Sequence, residues 1–125
     1  MIVCVTSTGD SIKSELDPRF GRCAYFAFYD TDTEAFSIME NEAVRSGGGA
    51  GISSGQLMAE KKVNTVITGN VGPNAMSVLS TAGMEILRGV QSTIEDNIER
   101  FKAGKLDKIS STVPPHSGMK SRGGM

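Results

Sequence analysis

Residues 64–83 read NTVITGNVGPNAMSVLSTAG, and the change of rhythm inside this stretch decides the fold. Asn64 to Thr68 is a short apolar run with Val66 and Ile67 between two threonines, the pattern of a strand buried on both faces. From Ala75 onward the apolar positions Ala75, Val78, Leu79 and Ala82 recur at the spacing of one helix face. Pro73 suits the first helical position, where its missing N–H would find no partner in any case, and Gly83 supplies a stop. Strand, glycine-bearing turn and helix in that order form half of a parallel crossover unit.

Working outward, Met1 to Thr6 (MIVCVT) is another nearly continuous β-branched run and reads as a central strand. Cys23–Asp30 and Ala35–Glu40 are aromatic and apolar runs separated by Thr31-Asp32-Thr33-Glu34, which predicts an antiparallel hairpin. The glycine-rich segment Arg45–Gly51 leads into a helix expected over about Ile52 to Lys62, with Ile52, Gly55 and Ala59 on one face and Met58 beside them. Met84–Arg88 reads as the last strand. Ser92-Thr93-Ile94-Glu95 matches a capping box opening a helix with Ile94, Ile98 and Phe101 in one stripe, and Gly104 closes it. The order β-β-β-α-β-α-β-α predicts a five-stranded mixed sheet with helices on both faces, a three-layer α/β/α sandwich.

A chain of 125 residues fits one domain, expected to span residues 1–107. Beyond it, residues 108–125 turn to Ser, Pro, Gly and Lys and read as a flexible tail. The formal charge is −1, but Lys105, Lys108, Lys120 and Arg122 against Asp107 leave residues 1–104 at −4. That balance argues against nucleic acid as a partner, since such domains present a strongly basic face. Two cysteines, Cys4 and Cys23, are too few for a disulfide framework and too far apart for a zinc ribbon. No apolar run is long enough to cross a bilayer, and Met1 opens directly into a strand. The expectation is a cytoplasmic protein with reduced thiols and no membrane partner.

The topology carries four loops to one sheet edge: Ser7–Arg22, Arg45–Gly51, Gly69–Pro73 and Gly89–Thr93. The last three each feed a helix N-terminus, where free N–H groups and a partial positive charge favour an anion. Gly48, Gly49, Gly51, Gly69 and Gly72 allow a ligand close to the backbone, and Arg19, Arg22 and Arg45 add full charges at the same edge. Asp17 is either part of this site or bonded to its local backbone, and Phe20 either joins the site or closes the core edge. Cys23, at the start of the second strand, is a candidate iron ligand, whereas Cys4 sits mid-strand as a small buried hydrophobe. His116, the one histidine, is either a metal ligand swinging in from the tail or a solvated bystander.

Ser14 with Asp17-Pro18-Arg19-Phe20-Gly21-Arg22, the Gly-Gly-Gly-Ala-Gly run at 47–51, and above all Thr68-Gly69-Asn70-Val71-Gly72-Pro73-Asn74-Ala75 resemble the dinitrogenase iron–molybdenum cofactor biosynthesis family. The resemblance covers about residues 1–104. It implies a ribonuclease H-like fold, and it groups the chain with NifX-like and NafY-like cofactor carriers and the C-terminal domain of NifB. By that resemblance the expected activity is noncovalent carriage of an iron–sulfur or iron–molybdenum-type cluster, without catalytic residues of its own, between a metallocluster donor and an acceptor protein. The glycines named above, Asn70 and Asn74 are carried over as cofactor-binding positions.

Three other readings compete. A ribonuclease H-like nuclease needs converging carboxylates, yet the first strand offers Cys4 and Thr6, and the hairpin carries Asp30 and Asp32 to the far edge. A phosphate or nucleotide sensor would use the same helix termini, although no Walker lysine–serine pair or dinucleotide fingerprint is present. A protein interaction module would use the glycines only to shape loops.

Overall fold

The computed structural model describes residues 1–46 and 50–109. The chain runs through β1 (Ile2–Ser7), β2 (Tyr25–Asp30) and β3 (Phe36–Glu40), then a 3-10 turn at Glu42–Ser46 and α1 (Ala50–Glu60). β4 (Thr65–Thr68), α2 (Pro73–Thr81), β5 (Glu85–Arg88), α3 (Ile94–Lys102) and β6 (Asp107–Lys108) follow. The strands form a single sheet in the order β3-β2-β1-β4-β5-β6. β1, β4 and β5 run parallel, while β2 is antiparallel to both β1 and β3.

The mixed α/β sheet is the one expected, but it has six strands rather than five. β6 is two residues long and pairs antiparallel with Leu87 and Arg88, too short for any side-chain alternation to announce it. The Ile109 N–H extends the pairing to the Ile86 carbonyl at 2.8 Å, and the Ile109 side chain is buried. Lys108, assigned by composition to the tail, therefore belongs to the sheet.

Side-chain alternation divides the core into two layers. Cys4, Phe26, Phe28, Val66 and Ile86 face Met58 of α1 and Ala75 and Leu79 of α2. Val3, Val5, Ala27, Ile67 and Leu87 face the other way, against Leu16 and against Ile94 and Ile98 of α3. β1 and β4 are thus covered on both sides, as their continuous apolar runs require. Met58, Leu79 and Ile94 are fully buried, each contributing roughly 2 kcal/mol of apolar burial.

Three local expectations shift. α1 buries Ala50, Ser54, Gly55 and Met58 rather than Ile52 and Ala59. The reason is Gly55, where an added methyl would lie 2.8 Å from Val78 Cγ1, so α2 packs directly on the bare backbone. α2 begins at Pro73 as expected and buries Ala75, Met76 and Leu79, but ends before Ala82, with Gly83 at φ +78° closing the turn. The α3 cap moves by one residue: Thr93, not Ser92, accepts the Asp96 N–H at 3.0 Å. No helix among the described residues is long and apolar enough to cross a membrane.

Candidate functional site

The polar segment after β1 is sewn to both neighbouring strand–helix loops by backbone hydrogen bonds. Asn70 N–H donates to the Pro18 carbonyl at 2.7 Å, and Phe20 N–H returns to the Asn70 carbonyl at 3.1 Å. On the other side Leu16 N–H reaches Ser92, Ile94 N–H reaches Ser14, and Glu95 N–H reaches Ile12, all at 2.9–3.0 Å. The loops after β1, β4 and β5 therefore meet at the carboxyl edge of the parallel strands. They do not all leave room for a ligand. The first amides of α3 are consumed by the Ser14 and Ile12 carbonyls, so the third of the expected helix termini is already satisfied.

The glycines of this edge serve backbone contact. Gly21, at φ +92°, faces Gly51 so closely that a methyl would sit 2.8 Å from the Gly51 Cα. Gly69 has the same role against Pro18, with 2.6 Å to its Cβ. Gly72 differs, because nothing lies within 4 Å of a methyl there.

What remains open is a cleft of about 220 Å³ between the first turns of α1 and α2. Phe20, Ala50 and Ala75, all buried, form its floor; Gly51 and Ile52 line one wall, and Gly72, Pro73 and Asn74 the other. Arg22 stands at its mouth, exposed; its backbone N–H donates to the Arg19 carbonyl at 3.2 Å, while its guanidinium has no ion-pair or hydrogen-bond partner among the described residues. Gly72 caps α2 without any side-chain hydrogen bond, and the amides of Asn74 and Ala75 meet no protein acceptor among the described residues. A helix start left this way favours negative charge.

Asp17 and Arg19 are not in this cleft. Asp17 is 3% exposed, and its carboxylate receives the Arg19 N–H, Nε and Nη2 at 3.1–3.2 Å. That hydrogen bonding and charge raise the Arg19 pKa above its ordinary value. The Thr6 hydroxyl bonds the Asp17 carbonyl at 2.6 Å and the Thr68 hydroxyl at 2.8 Å. Since Thr6 has one proton, Thr68 donates to Thr6 and Thr6 to Asp17, a buried relay that fixes the loop on β1 and β4. The geometry supports the local-backbone reading of Asp17, and Phe20 serves both as core and as cleft floor.

Cys23 stands at the expected edge, just before the β2 residue Tyr25 that pairs with Ser7 at the end of β1, but its side chain turns into the core. Its side chain is fully buried, Asn41 Nδ2 points at its Sγ from 3.8 Å, and burial together with the Asp17 charge pushes its thiol up to about 12. Cys4 is raised well above the ordinary value, by burial and then by Cys23. Neither thiol lines the cleft described above, and both side chains are fully buried. Among the described residues no cluster of His, Cys, Asp and Glu is arranged to hold a metal ion. Gly48, Gly49 and His116 lie outside the described residues, and for Arg45 only the backbone, in the 3-10 turn, is described.

Other residues shape the edge without having stood out in sequence. Arg88 Nη1 donates to the Gly69 carbonyl at 2.9 Å, bracing the loop ahead of α2. Its position as the last residue of a parallel strand was the available signal. Two buried asparagines bind loop backbone: Asn41 Nδ2 holds the Gly21 and Cys23 carbonyls, and Asn97 bridges Val90 and Thr93. A larger groove of about 380 Å³ lies elsewhere, beside β6 and the start of β5, where Lys108 pairs with Glu85 at 3.5 Å. It is remote from the converging loops.

The profile of the dinitrogenase iron–molybdenum cofactor family matches residues 1–104. The uncharacterized protein MJ0580 of Methanocaldococcus jannaschii is 34% identical over 100 residues, covering 78% of this chain and 85% of that protein. Among solved structures, the apo form of the orange protein from Desulfovibrio gigas is 30% identical with a TM-score of 0.85, over 90% of this chain and 96% of that one. A candidate NifB protein from Thermotoga, solved by NMR, is also 30% identical with a TM-score of 0.82, over 91% and 97% of the two chains.

Proposed function

The chain belongs to the dinitrogenase iron–molybdenum cofactor family, and on that premise we propose that it carries a preformed anionic metallocluster, of iron–sulfur or iron–molybdenum type, held noncovalently. The observation that carries this reading is the cleft between α1 and α2, with the Arg22 guanidinium, unpaired among the described residues, at its mouth and the start of α2, without a side-chain cap, in its wall. Backbone amides and one guanidinium can hold negative charge without displacing a ligand from the metal. Such a grip suits cargo that must be received from a donor protein and passed to an acceptor. The described residues lining the cleft offer backbone amides and a guanidinium rather than a thiol, imidazole or carboxylate, which suits carriage better than catalysis.

Two free, buried cysteines suit a reducing compartment, which supports reading the carrier as cytoplasmic, on the ribonuclease H-like fold that the family resemblance implies. The test is anaerobic gel filtration with a synthetic tetranuclear iron–sulfur thiolate dianion. Iron should co-elute with the chain and be largely lost from Arg22→Ala. Iron that elutes wholly apart from the wild-type chain would end the carrier reading.

A further inference from the structure

Asn41 follows the last residue of β3 and is 2% exposed, yet both polar atoms of its side chain are used. Nδ2 donates to the Gly21 carbonyl at 3.1 Å and to the Cys23 carbonyl at 2.9 Å, one proton to each, while Oδ1 accepts the Ala43 N–H at 3.1 Å. The two carbonyls flank Arg22, whose guanidinium stands at the mouth of the cleft. Gly21, at φ +92°, is in turn pressed against Gly51 in the first turn of α1. Resting on the carriage reading, we infer that Asn41 is a positioning residue. It fixes the backbone from which Arg22 reaches the cleft and ties that backbone to the 3-10 turn leading into α1.

An arginine side chain has many rotamers, and a mobile backbone beneath it would add to the ordering cost that binding must meet. Residues 21–24 lie outside strand and helix, so no ladder of their own holds them. Asn41 supplies that hold, and its own N–H adds a bond to the Ala24 carbonyl at 2.9 Å. A core asparagine could do as much for folding alone, and Asn97 is the comparison. It is also buried, and its Nδ2 holds the Val90 and Thr93 carbonyls at 3.0 and 2.9 Å. Those residues precede α3, whose first amides are closed by Ser14 and Ile12. Both asparagines therefore brace a loop, but Asn41 braces the one that presents a guanidinium to the cleft.

Anaerobic equilibrium dialysis of the full chain against the tetranuclear iron–sulfur thiolate dianion, read as bound iron beside urea midpoints, tests the inference. Asn41→Asp, which keeps the Oδ1 acceptor but loses both donated protons, should weaken binding about tenfold. Asn41→Ser, too short to reach both carbonyls, should do the same and serves where the first variant does not fold. Asn97→Asp should lower the midpoint while leaving affinity within about twofold of the parent. In an Arg22→Ala background Asn41→Ser should cost little more, because the positioned group is already gone. Parent affinity in the Asn41 variants, an equal loss from Asn97→Asp, or losses that simply add to that of Arg22→Ala would overturn the positioning role. Amide relaxation of the cluster-free chain gives a second reading: the heteronuclear NOE of Arg22 should match that of β2 and fall in Asn41→Ser. An Arg22 amide already mobile in the parent, or equally rigid in the variant, would sink this inference alone. A parent that takes up no iron while Arg22 is held as predicted would sink the carrier reading alone.

Discussion

Arg19 grips Asp17 at three points: its N–H and Nε donate to Oδ1 at 3.1 Å, and Nη2 donates to Oδ2 at 3.2 Å. The carboxylate is buried while the guanidinium is largely exposed, so this pair holds the loop in shape and leaves Arg22 to meet the ligand. Arg19→Ala strips a buried carboxylate of two charged donors and should lower the urea midpoint of unfolding. Arg22→Ala should change stability by less than about 0.5 kcal/mol while abolishing most cluster uptake. Urea midpoints beside iron co-elution check both halves.

Gly69 and Gly72 should part in the same way. A methyl on Gly69 meets Pro18 backbone atoms at 2.8 Å, so Gly69→Ala should cost about 1–3 kcal/mol through forced backbone movement. Gly72→Ala meets nothing, at φ −72°, and should cost less than about 1 kcal/mol as a poorer cap. Its methyl lies beside the cleft, however, so cluster affinity should fall. Thermal denaturation and dialysis of the two variants separate the effects.

The buried thiols make stability depend on alkaline pH. In the unfolded chain a thiol ionises near its ordinary value of 9.0, whereas folded Cys23 holds its proton to about 12. The folded state therefore binds more protons across that window, and stability must fall as pH rises from about 9 towards 12. Cys23→Ala removes one contributor. Its denaturation midpoint should drop less between pH 8 and pH 10 than that of the parent chain.

The same burial predicts chemical silence. Iodoacetamide at neutral pH should leave Cys4 and Cys23 unmodified in the native chain and label both in urea, as mass spectrometry will show. A cluster loaded on Cys23→Ala should give the absorption spectrum of the parent complex. A changed iron spectrum would return Cys23 to the coordination shell.

The parts of the fold legible in sequence were those written in period and punctuation. Pro73 and Gly83 bracket α2, the runs at 1–6 and 64–68 are central strands, and Gly104 at φ +71° ends α3. Three features had no such signature. β6 is held by backbone pairing alone, and backbone pairing has no residue code. The start of α3 is closed by carbonyls of Ile12 and Ser14, some eighty residues upstream, a contact that only the tertiary fold creates. Ile52 sits on the correct helical spacing for a core face, yet Gly55 draws α2 against a different stripe. At the site, the convergence of loops followed from topology. The division of labour between Arg19 and Arg22 did not, because it depends on which guanidinium Asp17 reaches.

The central claim is that an anionic cluster sits between the first turns of α1 and α2. It is tested most directly by recording amide NMR spectra of isotope-labelled chain during anaerobic titration with the tetranuclear iron–sulfur thiolate dianion. Shifts and broadening should centre on Gly51, Gly72, Asn74, Ala75 and the Arg22 Nε, while Ile94 and Glu95 at the start of α3 stay sharp. Perturbations centred on α3 or on the groove beside β6, or a spectrum that does not change, would contradict the account.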